Sequence, residues 1–134
     1  MEKKVIETHT TRAWMEDDHL LKIKVKEGAV IMLDDAREHL ETGKEIASGK
    51  DYIYMLVDLR GVQAISAAAR HHYSHPDKES KELNNRAIAI IIKSRVSKMI
   101  ANFFLGINRP AVPVKLFTQE PNALKWLKSI IQEH

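Results

Sequence analysis

Residues 52–68 read YIYMLVDLRGVQAISAA, and this stretch decides the fold. Tyr52 to Leu59 is a nearly continuous apolar run, the pattern of a strand covered on both faces. Asp58 stands at its carboxyl end, Arg60 and Gly61 make the exit turn, and Ser66 is placed to cap a helix running from about Ser66 to His72 and stopping near Pro76. Such a junction puts backbone amides at the edge of a sheet, where open α/β sheets keep their working surface.

Working outward, Ala87 to Ile92 (AIAIII) and Val112 to Phe117 (VPVKLF) repeat the apolar pattern, and helical sequence separates each run from the next. That spacing predicts a parallel portion joined by right-handed crossovers. Upstream, Leu20 to Val25 alternates apolar residues with lysine and pairs as an antiparallel hairpin with Val5 to Met15 across the polar turn Glu16–Asp18. Leu21, Ile23 and Val25 are expected on the core side, and Lys22, Lys24 and Lys26 on a solvated face.

After Gly28 a short apolar link leads to a helix over Leu33–Ala47, with Asp34 and Asp35 in its first turn and Gly49 as its stop. A third helix carries Val96, Met99, Ile100, Phe103, Phe104 and Ile107 at helical spacing, with Ser94 as N-cap and Gly106, Asn108 and Pro110 at its end. The last helix begins after Thr118 with Glu120 and Pro121 in its first turn, and presents Leu124, Leu127 and Ile131, widened by Trp126 and Ile130. The tract DKESKELNNR from Asp77 reads either as a short exposed helix or as a mobile loop. The order is ββαβαβαβα in an α/β chain with a mixed sheet.

The 134 residues fit one domain, 1–134. With 44% hydrophobic and 29% charged residues the composition is that of a chain that folds alone. There is no cysteine, which excludes disulfides, thiolate catalysis and cysteine-bound metals. A net charge of +3 without a clustered basic patch gives no expectation of nucleic-acid binding. MEKKVIETHT lacks the apolar core of a signal peptide, and no apolar run approaches the roughly 20 residues that span a bilayer. A cytoplasmic protein with no transmembrane segment is expected.

Candidate chemistry is sparse. Asp58 offers a base or a ligand, but a turn aspartate ordinarily bonds local amides or, here, Arg60. Ser66 serves as a helix cap; a phosphate on it would also sit well at a helix N-terminus. His71 and His75 share the i, i+4 spacing of two metal ligands, with His72 in the same cluster, yet two histidines fall short of the three or four ligands zinc needs and no HExxH is present, so a surface or interface cluster is expected. Trp14, Phe103, Phe104, Phe117 and Trp126 are spread over several elements and read as core or subunit interface. No phosphate loop, GxGxxG or nucleophile elbow occurs, so neither a catalytic set nor a cofactor is expected.

VDLRGVQAISAAA resembles the strand-turn-helix signature of the STAS domain, the fold of SpoIIAA-type anti-sigma-factor antagonists, where a segment of the form DLSxVxxIDSSG ends in a phosphorylated serine. Asp58, Leu59, Val62 and Ile65 match. The region from AIAIIIKSRVSKMIANFFLGINRP to VPVKLFTQEPNALKWL is similar to the SpoIIAA-like, or STAS/SEC14-like, bacterial proteins. The resemblance implies a mixed open sheet of about five strands with helices mainly on one face and an interaction surface at Asp58, Arg60, Gly61, Ser66, Ala67 and Arg70. Ser66 stands where the antagonists have aspartate, and Ala67 and Ala68 where they have the two serines, so the usual phosphorylation site is missing. The expected function is a non-enzymatic module that binds another protein and self-associates. The alternative is a SEC14-like domain for a small apolar ligand or lipid, with its pocket near the third helix and the C-terminal segment.

Overall fold

The structure, a computed structural model, describes residues 4–74, 84–107 and 112–133. Three strands open the chain: β1 (Val5–Glu7), β2 (Thr11–Met15) and β3 (Leu20–Val25). They pair antiparallel, with Ala13 opposite Ile23. The expected single strand over residues 5–15 breaks because the Thr8 hydroxyl accepts from the amides of Thr10 and Thr11 at 3.2 and 2.9 Å, a side-chain turn that competes with the ladder.

β4 (Ala29–Ile31) and α1 (Leu33–Ile46) follow, then β5 (Ile53–Asp58), β6 (Val62–Ile65) and α2 (Ala67–Ser74). The chain continues through β7 (Asn85–Ile91), α3 (Arg95–Ile107), β8 (Val114–Phe117) and α4 (Glu120–Glu133). The main sheet has six strands in the order β1-β2-β3-β5-β7-β8, parallel from β3 to β8. The expected runs are all present as strands. β4 and β6 form a second, two-stranded parallel sheet; the link after Gly28 and the exit after Gly61 were each too short to read as strands.

Each parallel strand is added on the same side of its predecessor. Crossovers of one hand then carry α1, α2 and α3 over the same face, and α4 folds onto the other. Alternation along the strands separates two cores accordingly. Toward α1–α3, Val25 and Ile90 pack with Ala36, Ala69, Ile100 and Ala101, while Leu21 and Ile53 pack with Ile46 and Ala47. Toward α4, Tyr54, Leu56, Ala89 and Ile91 meet Ala123 and Leu127, and Trp126 packs beside Phe117 with ring centroids 5.8 Å apart.

The caps explain where the helices begin. Asp35 accepts from the Met32 amide at 2.8 Å, and Ser94 Oγ accepts from the Ser97 amide at 3.2 Å. Gly49, just past α1, has φ 83°, a left-handed conformation that stops the helix. Among the described residues no helix is long and apolar enough to cross a membrane. The side chains of Phe103, Phe104 and Ile107, His75 and the segment 77–83 lie outside what the structure describes.

At the far end of the helical layer, His39 of α1 bonds Thr10 Oγ1 at 2.7 Å and ties α1 to the β1–β2 turn. Burial pushes its pKa below the ordinary 6.5 against the opposing pull of Asp35 and Glu38. The unfolded chain therefore takes up the proton first, so this contribution to stability is complete above about pH 6.5 and is lost as pH falls through the depressed value. Urea titrations between about pH 7.5 and 5 should show falling stability, with a shallower fall in His39→Gln; parallel curves would contradict this role.

Candidate interaction corner

The segment after β5 is fixed by local chemistry. Asp58 ends the strand on the α4 side and its side chain is only 9% exposed. One carboxylate oxygen accepts from the Arg60 amide and from Arg60 Nε, both at 3.0 Å, and the other accepts from Arg60 Nη2 at 2.7 Å. Burial raises the Asp58 pKa, but the Arg60 side-chain bonds, its amide, its charge and the charge of Lys24 together hold it below 3.8. Asp58 thus stays ionised and holds three donors of Arg60, which fits a clamp on the turn better than a general base.

Gly61 completes the turn. The Val62 amide bonds Leu59 O at 3.1 Å, and Gly61 O accepts from the Gly28 amide at 2.8 Å. A Cβ on Gly61 would lie 2.6 Å from the carbonyl oxygen of Val25 and 2.8 Å from that of Lys26. This close backbone approach, with no positive φ, is what demands glycine here.

The chain then crosses to the opposite side of the sheet through β6. The Ser66 amide bonds Ile31 O at 2.9 Å, which joins the helix start to β4, and Ser66 Oγ accepts from the Ala69 amide at 3.0 Å as the N-cap of α2. Ala67 and Ala68 are exposed, Ala69 is fully buried against the core, and Arg70 is half-buried and engaged in a polar interaction. The six residues singled out from the sequence therefore divide. Asp58, Arg60 and Gly61 form one turn whose charged side chains lie toward α4; Ser66, Ala67 and Arg70 form the α2 start beside β4.

Some neighbours were not anticipated. Val30 and Met32, 43% and 53% exposed, stand next to the helix start. Within AVIML the alternation of buried Ala29 and Ile31 with exposed Val30 and Met32 carries that signal, but the run is too short to separate a strand from a link. Lys22, expected on a solvated face, is largely covered and lies 3.9 Å from Glu120 at the start of α4. Lys24 is exposed as expected, and Lys26 reaches Thr8 O at 2.7 Å and Glu7 at 3.0 Å.

Among the described residues no group of three or more His, Cys, Asp or Glu is placed to hold a metal ion. A shallow depression lies on the outer side of α4, between Pro121, Leu124, Lys125 and Lys128. It is an open surface feature lined by residues of α4.

The architecture has a solved counterpart. An uncharacterised protein of the DUF3478 family from Shewanella loihica PV-4, with a SpoIIAA-like fold, superposes with a TM-score of 0.57 over 94% of this chain and 92% of its own. The two sequences are 13% identical, so the likeness is one of fold. No curated protein sequence matches the chain. A family model for a domain of unknown function matches residues 13–131, nearly the whole of the described fold, and the chain belongs to that family, DUF7793.

Proposed function

We propose that the protein is a STAS-like interaction module without enzymatic activity, which binds another protein through the turn and helix start at residues 58–68. The observation that carries this reading is the α2 start. A capped helix end presents two exposed alanines, and exposed Val30 and Met32 stand beside it across the Ser66–Ile31 bond. Small side chains on a rigid, pre-ordered backbone let a partner approach closely, and the apolar pair supplies area that gains from burial.

The same geometry sets this module apart from the phosphorylation-switched antagonists that its motif resembles. Neither residue 67 nor residue 68 carries a hydroxyl, and the Ser66 hydroxyl is committed to the Ala69 amide. Binding here would be constitutive or governed by something other than a phosphate at those two positions.

The test is quantitative affinity purification from the native host with wild type and with Ala68→Arg. A large side chain at the centre of a small interface should cut recovery of the partner by about tenfold or more, while Lys128→Glu on α4 leaves recovery unchanged. If every partner recovered with wild type is recovered equally with folded Ala68→Arg, the site assignment is wrong.

A further inference from the structure

The charge of this chain is unevenly laid out. Residues 1–58 carry 9 Lys and Arg against 13 Asp and Glu, and residues 59–134 carry 12 against 5, so the halves hold −4 and +7 of the net +3. No acidic residue occurs between Glu82 and Glu120, an interval with six Lys and Arg. Three of these cations, Lys93, Arg95 and Lys98, fall within the six residues KSRVSK, at the exit of β7 and the start of α3.

Lys93, Arg95 and Lys98 are all exposed, on the β7–α3 loop and the first turn of α3. Cations at a helix N-terminus oppose the helix dipole, and α3 has no acidic residue in its first turn to offset them. None of the three has an ion pair among the described residues. By contrast, three carboxylates on the exposed stripe of α1, Asp34, Glu41 and Glu45, have Arg37, Lys44 and Lys4 beside them. These α1 carboxylates thus have cations beside them, whereas the three cations at the start of α3 have no carboxylate partner among the described residues.

Its position joins it to the corner. The Leu59 amide bonds Ile91 O at 2.9 Å, so the turn bearing Arg60 and the loop bearing Lys93 leave adjacent strands side by side, and α3 packs on both β6 and α2. Met99, 50% exposed, adds an apolar contact beside Lys98. No aromatic side chain is among the large exposed hydrophobics of the described residues, so a base-stacking platform is lacking. An adaptable methionine among cations suits a peptide with carboxylates around an apolar side chain.

We propose that Lys93, Arg95 and Lys98, with Met99, dock an acidic, amphipathic segment of the partner protein. This rests on the interaction reading above and names the chemistry of what binds there. The probe is a fluorescein-labelled peptide of about 16 residues with Glu and Leu at helical spacing, followed by anisotropy and by amide chemical shifts of the labelled protein. Binding should weaken about tenfold or more in Lys93→Glu/Arg95→Glu/Lys98→Glu and with added salt, with shifts centred on residues 93–99.

The neutral triple variant Lys93→Gln/Arg95→Gln/Lys98→Gln guards against misfolding and should also lose affinity. Undiminished binding in either folded triple variant, or shifts confined elsewhere, overturns the inference and leaves the Ala68→Arg result to judge the corner separately. Tighter binding of a thymidine oligonucleotide or of phosphatidylserine vesicles than of the peptide at these residues overturns the assignment to an acidic protein.

Discussion

Gly61→Ala is expected to lower stability by about 3 kcal/mol, at the upper end of overpacking costs, and the melting temperature by roughly 10 °C for a domain of this size. The added methyl meets two main-chain carbonyl oxygens, those of Val25 at 2.6 Å and Lys26 at 2.8 Å. No rotamer change can relieve a clash between backbone groups, so either the β3 end or the turn must move, and with it the Gly28–Gly61 bond. Gly49 provides the contrast. Its φ of 83° is strained for alanine, but nothing lies within 4 Å of the added methyl, so Gly49→Ala should cost only about 1–2 kcal/mol. Thermal unfolding of the two variants checks this, and a Gly61→Ala midpoint at or above that of Gly49→Ala would contradict the close approach.

Leu127→Ala should cost about 2–5 kcal/mol, the range for a leucine removed from a packed core. Leu127 is 1% exposed and, with Ala123, forms the buried contact of α4 with Tyr54, Leu56, Ala89 and Ile91. Among the described residues α4 is the helix that covers that face of the sheet, and no second helix stands ready to fill the space. Ile131, on the same helix but 36% exposed, should tolerate alanine with less than about 1 kcal/mol. Urea denaturation of the pair gives the comparison; equal losses would mean that α4 does not seat on the sheet as described.

Much of this architecture was legible in the chain because buried parallel strands announce themselves as apolar runs. YIYMLVDL, AIAIII and VPVKLF each became a strand of the central sheet, and Ser66 and Ser94 each capped the helix assigned to it. What stayed hidden were β4 and β6, whose three and four residues are too short for a period to show. The break at Thr8 is a side-chain turn inside sequence that otherwise favours strand.

The corner was legible in part. Asp58 and Arg60 pair as their spacing suggests, and Gly61 was placed in the turn, but the reason it must be glycine lies in residues 25 and 26, far away in sequence. That Ser66 and Ala67 sit across the sheet from Asp58 follows only from the small β4–β6 sheet between them. Lys93, Arg95 and Lys98 are neighbours in the sequence, but their exposure, like that of Met32, depends on tertiary placement, which one-dimensional charge and hydropathy do not encode.

The central claim is that the α2 start is where a partner protein sits. A photo-crosslinking amino acid placed at Ala68, and separately at Lys125 on the outer side of α4, tests this in the native host under one exposure to light. The account predicts a specific protein adduct from position 68 and none from position 125. An adduct from position 125 with none from position 68 would contradict it.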